Sequence, residues 1–299
     1  MPTCFIHPTT LSIIGTSKGL RTALEGCRKA AKENDPVLFQ GEIGTGKLLL
    51  ATYLHDEGAQ HDKTLYVVDC AQPHGIIQKL LSEDFNINYF EFLSGGSFYF
   101  REVASLSLED QKRLYHFCLR IEPLKIRIFL SSSQNIHFLM LDKAFDQNLY
   151  RYVGQWEISI PPLRQRKEDI PLLIEHLIEN LNLRLRKSVQ GLTPQAEQIL
   201  TSYRWPGNIE ELEQVLTRAI LLGNEPYISQ RHLRGYLLSS DYENTINDVM
   251  PLDRMEEILL KSALERYGYT LEGKKRAARA LNISLATLYN KVKRYNLNE

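Results

Sequence analysis

The sequence predicts two folds in series: an α/β core built on a parallel sheet with a helical lid subdomain, followed by a separate all-α helix-turn-helix domain. Three observations predict it. The apolar run PVLFQ feeds the glycine-rich GEIGTGK and then the helical LLLATYLHDEG. The short apolar runs TLYVVD, GSFYF and IRIFLSS recur between helical or polar stretches, the alternation of a layered α/β sheet. Beyond Pro161-Pro162 every patterned segment is helical.

Taken in order, Ser17 stands as cap to a helix whose apolar residues Leu20, Ala23, Leu24, Cys27, Ala30 and Ala31 recur at helical spacing, closing near Asn34-Asp35-Pro36. Residues 36–40 form a buried strand, and strand, loop and helix then follow one another. In the lid, EDIPLLIEHLIENLNLRL and TPQAEQILTSY read as helices, the second capped by Thr193 with Pro194 in its first turn. Another helix starts after WPGN, with Asn208 as cap and Glu211 in the capping-box position, and stops before Gly223. SSDYENTINDVMP is polar and lacks a helical stripe, as a linker does. The expected domains are residues 1–160 (α/β core), 161–238 (lid), 239–250 (linker) and 251–299 (helix-turn-helix), with no internal repeat.

Composition excludes some classes. With 299 residues, 43% apolar and 24% charged, the chain has the make-up of globular domains rather than of a disordered or membrane-embedded protein. No apolar run approaches the roughly 18 residues of a membrane span, and MPTCFIHPTTLSIIG lacks the basic start of a secretion signal. A cytoplasmic location without membrane contact is expected. Cys4, Cys27, Cys70 and Cys118 are too scattered for a metal site or a disulfide framework and read as reduced thiols. The net charge of zero conceals an asymmetry: residues 273–298 carry seven basic residues and no acidic one, leaving −7 on the remainder. Such a split is the footprint of one small domain meeting a polyphosphate.

Gly41, Glu42, Ile43, Gly44, Thr45, Gly46 and Lys47 fit GxxxxGK between a strand and a helix. Backbone N–H groups in such a loop cradle phosphates while the lysine neutralises them. These residues and Leu48 are the candidate nucleotide site, with ATP or ADP as the expected ligand. A glycine-rich turn with an incidental lysine is the alternative, and it leaves the flanking strand and helix unexplained. Leu48 occupies the position whose hydroxyl ordinarily binds magnesium.

At the other end, residues 251–266 carry Leu252, Met255, Leu259, Ser262, Ala263 and Arg266 around a helical stripe, either a core helix or a dimer seam. Residues 274–281 form a short helix, Asn282-Ile283-Ser284 a turn with Ser284 as cap, and residues 285–295 a second helix. That is helix-turn-helix spacing. Ala277, Ala278, Leu281, Ile283, Leu288 and Val292 pack the pair. Leu285, Ala286, Thr287 and Asn290 are placed to approach base edges, and Lys274, Lys275, Lys291 and Lys293 to meet phosphates, with Arg294 on the same outward face. Double-stranded DNA is the expected partner. A solvated basic tail is the alternative, and it does not account for the interleaved apolar positions.

GEIGTGK, GGSFYF, PPLRQRKEDIPLL and SYRWPGNIEELEQVLTRAILL occur in that order, and over residues 11–238 the chain resembles the AAA+ domain of bacterial enhancer-binding proteins, the NtrC family. The segment beyond resembles a Fis-type DNA-binding domain. The resemblance implies an AAA+ core and lid, a homodimer formed through the C-terminal domain, and contact with RNA polymerase. It also exposes departures. The family's GGTLFLDE aligns with Gly95-Gly96-Ser97-Phe98-Tyr99-Phe100-Arg101-Glu102, so Arg101 falls where the magnesium-coordinating aspartate belongs while Glu102 keeps the water-activating position. Ser133 falls on the sensor asparagine, and Glu210 on the sensing arginine of the lid. The FREDLYYR segment, which carries trans-acting arginine fingers, reads Phe145-Asp146-Gln147-Asn148-Leu149-Tyr150-Arg151-Tyr152, with Arg151 beside the second finger position and out of register.

Between Asp69-Cys70-Ala71 and the paired glycines there is no GAFTGA, and the second contact loop near residues 121–125 is trimmed, somewhat as in the TyrR branch. These departures imply a regulator that binds nucleotide, hydrolyses it poorly or not at all, holds magnesium badly and does not remodel sigma-54. Two other readings stay open. An active promoter-opening ATPase requires turnover abolished at Lys47, and an interaction scaffold requires a protein partner without DNA sequence preference. Ser131 to Ser133 and His55 are assigned no catalysis.

Overall fold

The computed structural model describes residues 4–6, 12–71, 77, 80–82, 94–223, 225–233, 252–295 and 297. The chain divides into two compact units, Met1–Leu233 and Arg234–Glu299. The expected linker at 239–250, and most of the interval where the GAFTGA motif is missing, lie outside the described residues.

The first unit is layered on a sheet of six strands: β1 (Cys4–Ile6), β2 (Val37–Gln40), β3 (Leu65–Asp69), β4 (Ser97–Arg101), β5 (Arg127–Ser132) and β6 (Trp156–Ser159). Their spatial order is β1-β3-β4-β5-β2-β6. All neighbours are parallel except β1, which runs antiparallel to β3. Central strands covered on both faces must be apolar throughout, and every residue of β2 and β5 is buried. Side chains alternate between the faces. Phe98, Phe100, Ile128 and Leu130 pack with Leu114, Phe117, Cys118 and Ile121 of α3 (Leu108–Ile121). Phe39, Tyr99 and Phe129 face Leu20, Ala23 and Cys27 of α1 (Lys18–Ala30) and Leu50, Ala51 and Leu54 of α2 (Lys47–Glu57).

Ser17 caps α1, accepting from the Leu20 N–H at 3.4 Å. The helix closes at Ala30, short of the expected Asn34, where the buried Arg127 takes over its C-terminal carbonyls. Arg127 Nη2 donates to Ala30 O at 2.6 Å and Nε to Asp35 O at 3.3 Å, and burial pulls its pKa down to about 10. The edge strands β1 and β6 were not singled out in the sequence, because CFI and WEIS are too short and, in β6, too polar to stand out as apolar runs. Cys27, Cys70 and Cys118 are buried free thiols, and burial pushes that of Cys27 up to about 12.

Two short helices, α4 (Ile136–Leu141) and α5 (Gln147–Val153), precede β6. The lid follows: α6 (Ile170–Leu185), β7 (Gly191–Leu192), α7 (Pro194–Ser202), α8 (Asn208–Leu222) and β8 (Tyr227–Ile228), the two strands pairing in parallel. Thr193 caps α7 through the Ala196 N–H. The expectation for α8 needs correction. Gly207, not Asn208, is the capping residue, and Asn208 sits in the left-handed region at φ 54° with its side chain directed at the phosphate loop. Glu211 does fold back, accepting from the Gly207 N–H at 2.8 Å, but with Gly207 as cap it stands one position beyond that of a capping box.

The second unit consists of α9 (Leu252–Tyr267), α10 (Leu271–Ala280) and α11 (Leu285–Arg294). Leu260, Ala263, Leu264, Ala277, Ala278, Leu288 and Val292 form its core. The side chains of Leu252 and Met255 are outside the described set. Helix α10 begins three residues before the expected start, because Thr270 caps it through the Gly273 N–H. A Cβ at Gly273 would lie 2.3 Å from Gly268 O, so the tight α9–α10 corner requires glycine there.

Candidate nucleotide site and nucleic-acid interface

The phosphate loop joins β2 to α2 at the carboxyl edge of the parallel strands, where open α/β sheets bind ligands. Gly44 (φ 76°) and Gly46 (φ 97°) take backbone conformations closed to most residues. Gly41 N–H ties the loop to Ser132 O at 3.2 Å. The first N–H groups of α2, on Lys47, Leu48 and Leu49, have no acceptor within the helix and form an anion-seeking end.

Lys47 Nζ donates to Gly41 O at 2.7 Å and Glu42 O at 3.1 Å, and lies 3.0 Å from Glu102 Oε1. Glu102 follows β4 in the left-handed region, and its other oxygen accepts from the Ser133 N–H at 2.8 Å. Ser133 therefore meets Glu102 through its main chain, at the position expected of a sensor side chain. Burial works to raise the Glu102 pKa, but the Ser133 bond and Lys47 outweigh it and hold the carboxyl below its ordinary value. Burial depresses the Lys47 ammonium, with Glu102 opposing.

The lid grips the loop directly. Arg164 pairs with Glu42 through two bonds of 2.6 Å, which lowers the pKa of that carboxyl. Buried Arg166 donates to Thr45 O at 2.9 Å. Asn208 Nδ2 donates to Ile43 O at 2.8 Å while its Oδ1 accepts from the Leu163 N–H at 2.7 Å. Ile209 N–H reaches Gly44 O at 3.0 Å. Asp169, buried at the start of α6, accepts from Thr16, Ser17 and the Ser17 hydroxyl and clamps the lid to α1. Arg164, Arg166 and Asp169 lie in PPLRQRKEDIPLL, which marks the family resemblance without assigning them a role, and Asn208 stood out for another role; the RxR spacing after Pro161-Pro162 is the available signal.

Two cavities flank the loop. One of about 310 Å³ is lined by Gly44, Lys47, Leu48, Arg101, Glu102 and Glu210 among others. The second, about 590 Å³, has apolar walls from Ile13, Ile14, Leu49, Leu173 and Leu177, with Arg166 beside Thr45. The buried Arg166 Nε there has no hydrogen-bond partner. An apolar chamber adjoining a cationic loop, both of ligand size, fits a nucleotide: base against the leucines and isoleucines, phosphates at the loop amides and Lys47. Magnesium does not fit. Leu48 offers no oxygen, Arg101 presents a cation, and Glu102 is engaged by Lys47 and Ser133. No cluster of three or more metal-ligating His, Cys, Asp or Glu occurs among the described residues. Arg151, the residue nearest a finger position, lies exposed in the last turn of α5, whose cap is Asp146.

In the second unit Ser284 caps α11 through the Thr287 N–H at 3.0 Å, as the spacing predicts. Ala286 in its first turn and Asn290 at its middle stand exposed, with Thr287 half-buried. Leu285 packs against the helical core, so it is not a freely outward group. The basic residues divide. Lys291 is ion-paired to Glu256, which also accepts from the Tyr295 hydroxyl at 2.8 Å. Lys275 pairs with Glu272 at 2.9 Å, and Lys274 lies 5.3 Å from the Tyr289 ring centroid. Lys293 and Arg294 are exposed, Arg294 over the Tyr295 ring. Arg276 and Arg279 are also exposed and extend the cationic surface; their presence in the basic run was the only signal for them.

Fold and site together define a P-loop domain with a helical lid, joined to a helix-turn-helix. Residues 14–163 match the Sigma-54 interaction domain, 164–248 the AAA+ ATPase lid domain, and 251–295 the Fis family of bacterial regulatory proteins. The chain belongs to the family of DNA-binding, sigma-54-dependent transcriptional regulators. It is 31% identical to the transcriptional regulatory protein ZraR of Escherichia coli K12, over 97% of this chain and 70% of that protein. The phenol regulator MopR of Acinetobacter guillouiae is 28% identical over 97% of this chain and 57% of its own length. NtrX from Brucella abortus, solved with ADP, shares the fold at 22% identity and a TM-score of 0.68, covering 96% of this chain and 69% of that one. The expected AAA+ core with lid and all-α Fis-type helix-turn-helix is the observed architecture. No helix among the described residues is long and apolar enough to cross a membrane.

Proposed function

We propose that this chain is a cytoplasmic, DNA-binding transcription regulator whose P-loop domain binds ATP or ADP as a ligand, turns it over poorly or not at all, and does not remodel sigma-54. The carrying observation is that Arg101 and Leu48 line one cavity with a Lys47 already neutralised by Glu102. Phosphoryl transfer in P-loop proteins depends on a metal bridging the phosphates and on arginines supplied to the transition state. Here the metal-holding positions are a leucine and an arginine, and the finger segment offers only Arg151.

Nucleotide then serves to fix the lid on the core, since Arg164, Arg166 and Asn208 already join lid and loop around the place where phosphates would lie. The second unit acts as a homodimer, presenting Ala286, Thr287 and Asn290 to base edges and Lys293 and Arg294 to phosphates, with RNA polymerase as a further contact. The test pairs footprinting on genomic fragments at low salt with a phosphate-release assay in magnesium and DNA. Protected palindromic sites with a flat release trace are expected. Release abolished by Lys47→Ala would establish the promoter-opening ATPase instead, and an absence of any protected site would leave a scaffold.

A further inference from the structure

The last residue of β4 has a chemistry at odds with its position. In P-loop proteins the loop Ser or Thr and an aspartate on a neighbouring strand hold the magnesium that bridges the outer phosphates. In this chain the loop residue is Leu48, and the strand ends in Arg101, whose exposed side chain lines the same cavity of about 310 Å³ as Lys47, Leu48 and Glu102. We propose that the Arg101 guanidinium occupies the role of the metal, so that the site takes a nucleoside di- or triphosphate as its magnesium-free anion. This rests on the nucleotide reading above and specifies the ionic form of the ligand.

Three features carry it. Glu102, the acid that meets Lys47, is committed on both oxygens to Lys47 and to the Ser133 N–H, and Glu42 in the loop itself is paired with Arg164, so neither is free to ligate a cation. Glu213, which also lines the cavity, is paired with Arg184 at 2.9 Å. Arg101 has no ion-pair partner among the described residues, and its side chain is exposed. A guanidinium donates two parallel N–H bonds to two phosphate oxygens, which matches the bridging contact a divalent ion makes. A magnesium ion brought to the same place would meet Arg101 as a like charge. Glu210 also lines this cavity, and Arg101 offsets its charge there.

The test is an equilibrium titration of the full chain with a fluorescent methylanthraniloyl derivative of ADP and of ATP, in EDTA and in millimolar magnesium. Wild-type affinity in EDTA should equal or exceed that in magnesium. Arg101→Ala should weaken binding in EDTA about tenfold, and Arg101→Asp should weaken it further and make it recover with magnesium. Because Arg101 is exposed, each variant is expected to melt with the wild type, which a thermal scan checks. A wild-type affinity that falls tenfold on chelation, or an Arg101→Ala protein that binds as tightly as wild type in EDTA, overturns the inference while leaving nucleotide binding intact. No binding in either buffer removes the nucleotide reading as well.

Discussion

Asn208, in the first turn of α8, donates its side-chain amide to the carbonyl of Ile43 in the phosphate loop at 2.8 Å. Its oxygen accepts from the Leu163 N–H, so one buried side chain satisfies main-chain groups on two sides of the nucleotide site. The position costs a left-handed backbone, which asparagine tolerates better than most residues. A side chain satisfied this fully at no exposure is a structural rivet between lid and loop.

Removing that rivet should be felt in stability and in binding together. Asn208→Ala leaves the Ile43 carbonyl and Leu163 N–H buried without partners, at a cost of about 1–3 kcal/mol each way the loss is divided. Urea unfolding of the first unit should show a lowered midpoint, and nucleotide should protect the variant less than the wild type. Gly44→Ala should be worse, because its Cβ would fall 2.2 Å from Gly207 O at a φ of 76°.

Glu102→Gln separates two views of the carboxylate. On the present account Glu102 competes with phosphate for Lys47, so the neutral variant should bind ADP several-fold more tightly. The same change breaks an ion pair whose partners are only 7% and 14% exposed, and should lower apo stability by about 3 kcal/mol. Titration calorimetry and thermal melts on the same samples read both. Unchanged affinity would show that the carboxylate does not restrain the lysine.

A pH dependence follows from His55. Its ring is held by Ser97 Oγ and Lys63 O, each at 2.9 Å, and burial keeps its pKa below the ordinary 6.5 with Arg127 adding to the effect. The unfolded chain therefore binds this proton at a pH where the folded one does not. Its contribution to stability is complete above pH 6.5 and declines as the pH falls below that value. His55→Gln should flatten this part of the profile. Melting temperatures of the two proteins from pH 7.5 to 5.5 provide the comparison, and parallel curves would count against the assignment.

On α11 the basic residues should behave unequally. Lys293→Ala should weaken DNA binding alike on all sequences and reduce the salt slope by about 1. Asn290→Ala should alter preference at one base pair, by about 1–3 kcal/mol. Lys291→Ala should also loosen the domain, because Lys291 and Tyr295 both anchor to Glu256 on α9. Salt-dependent binding isotherms on matched and mismatched sites distinguish the three.

Much of this was legible in the sequence. The glycine loop between an apolar strand and a helix, Thr193 and Ser284 as caps, and the alternating core of α10 and α11 depend on local chemistry, which spacing records. What escaped depends on contacts between distant segments. Asn208 looks like a helix cap because nothing local tells its amide that Ile43 lies across the cleft. The partners that Lys291 and Lys274 find within the domain, Glu256 and Tyr289, meet them only once the helices fold. Leu285 is half-buried against the core for the same reason. Arg101 was legible as a misplaced charge, but the cavity it shares with Lys47 is a property of the folded sheet.

The most direct measurement is the identity of the nucleotide the protein carries. Full-length chain is incubated with γ-labelled ATP, magnesium and specific DNA, passed over a desalting column, denatured, and its nucleotide resolved by chromatography. Retained nucleotide should emerge as intact ATP after an incubation of hours, with labelled phosphate at the level of a protein-free control. Recovery of ADP with stoichiometric free phosphate, lost in Lys47→Ala, would contradict the account.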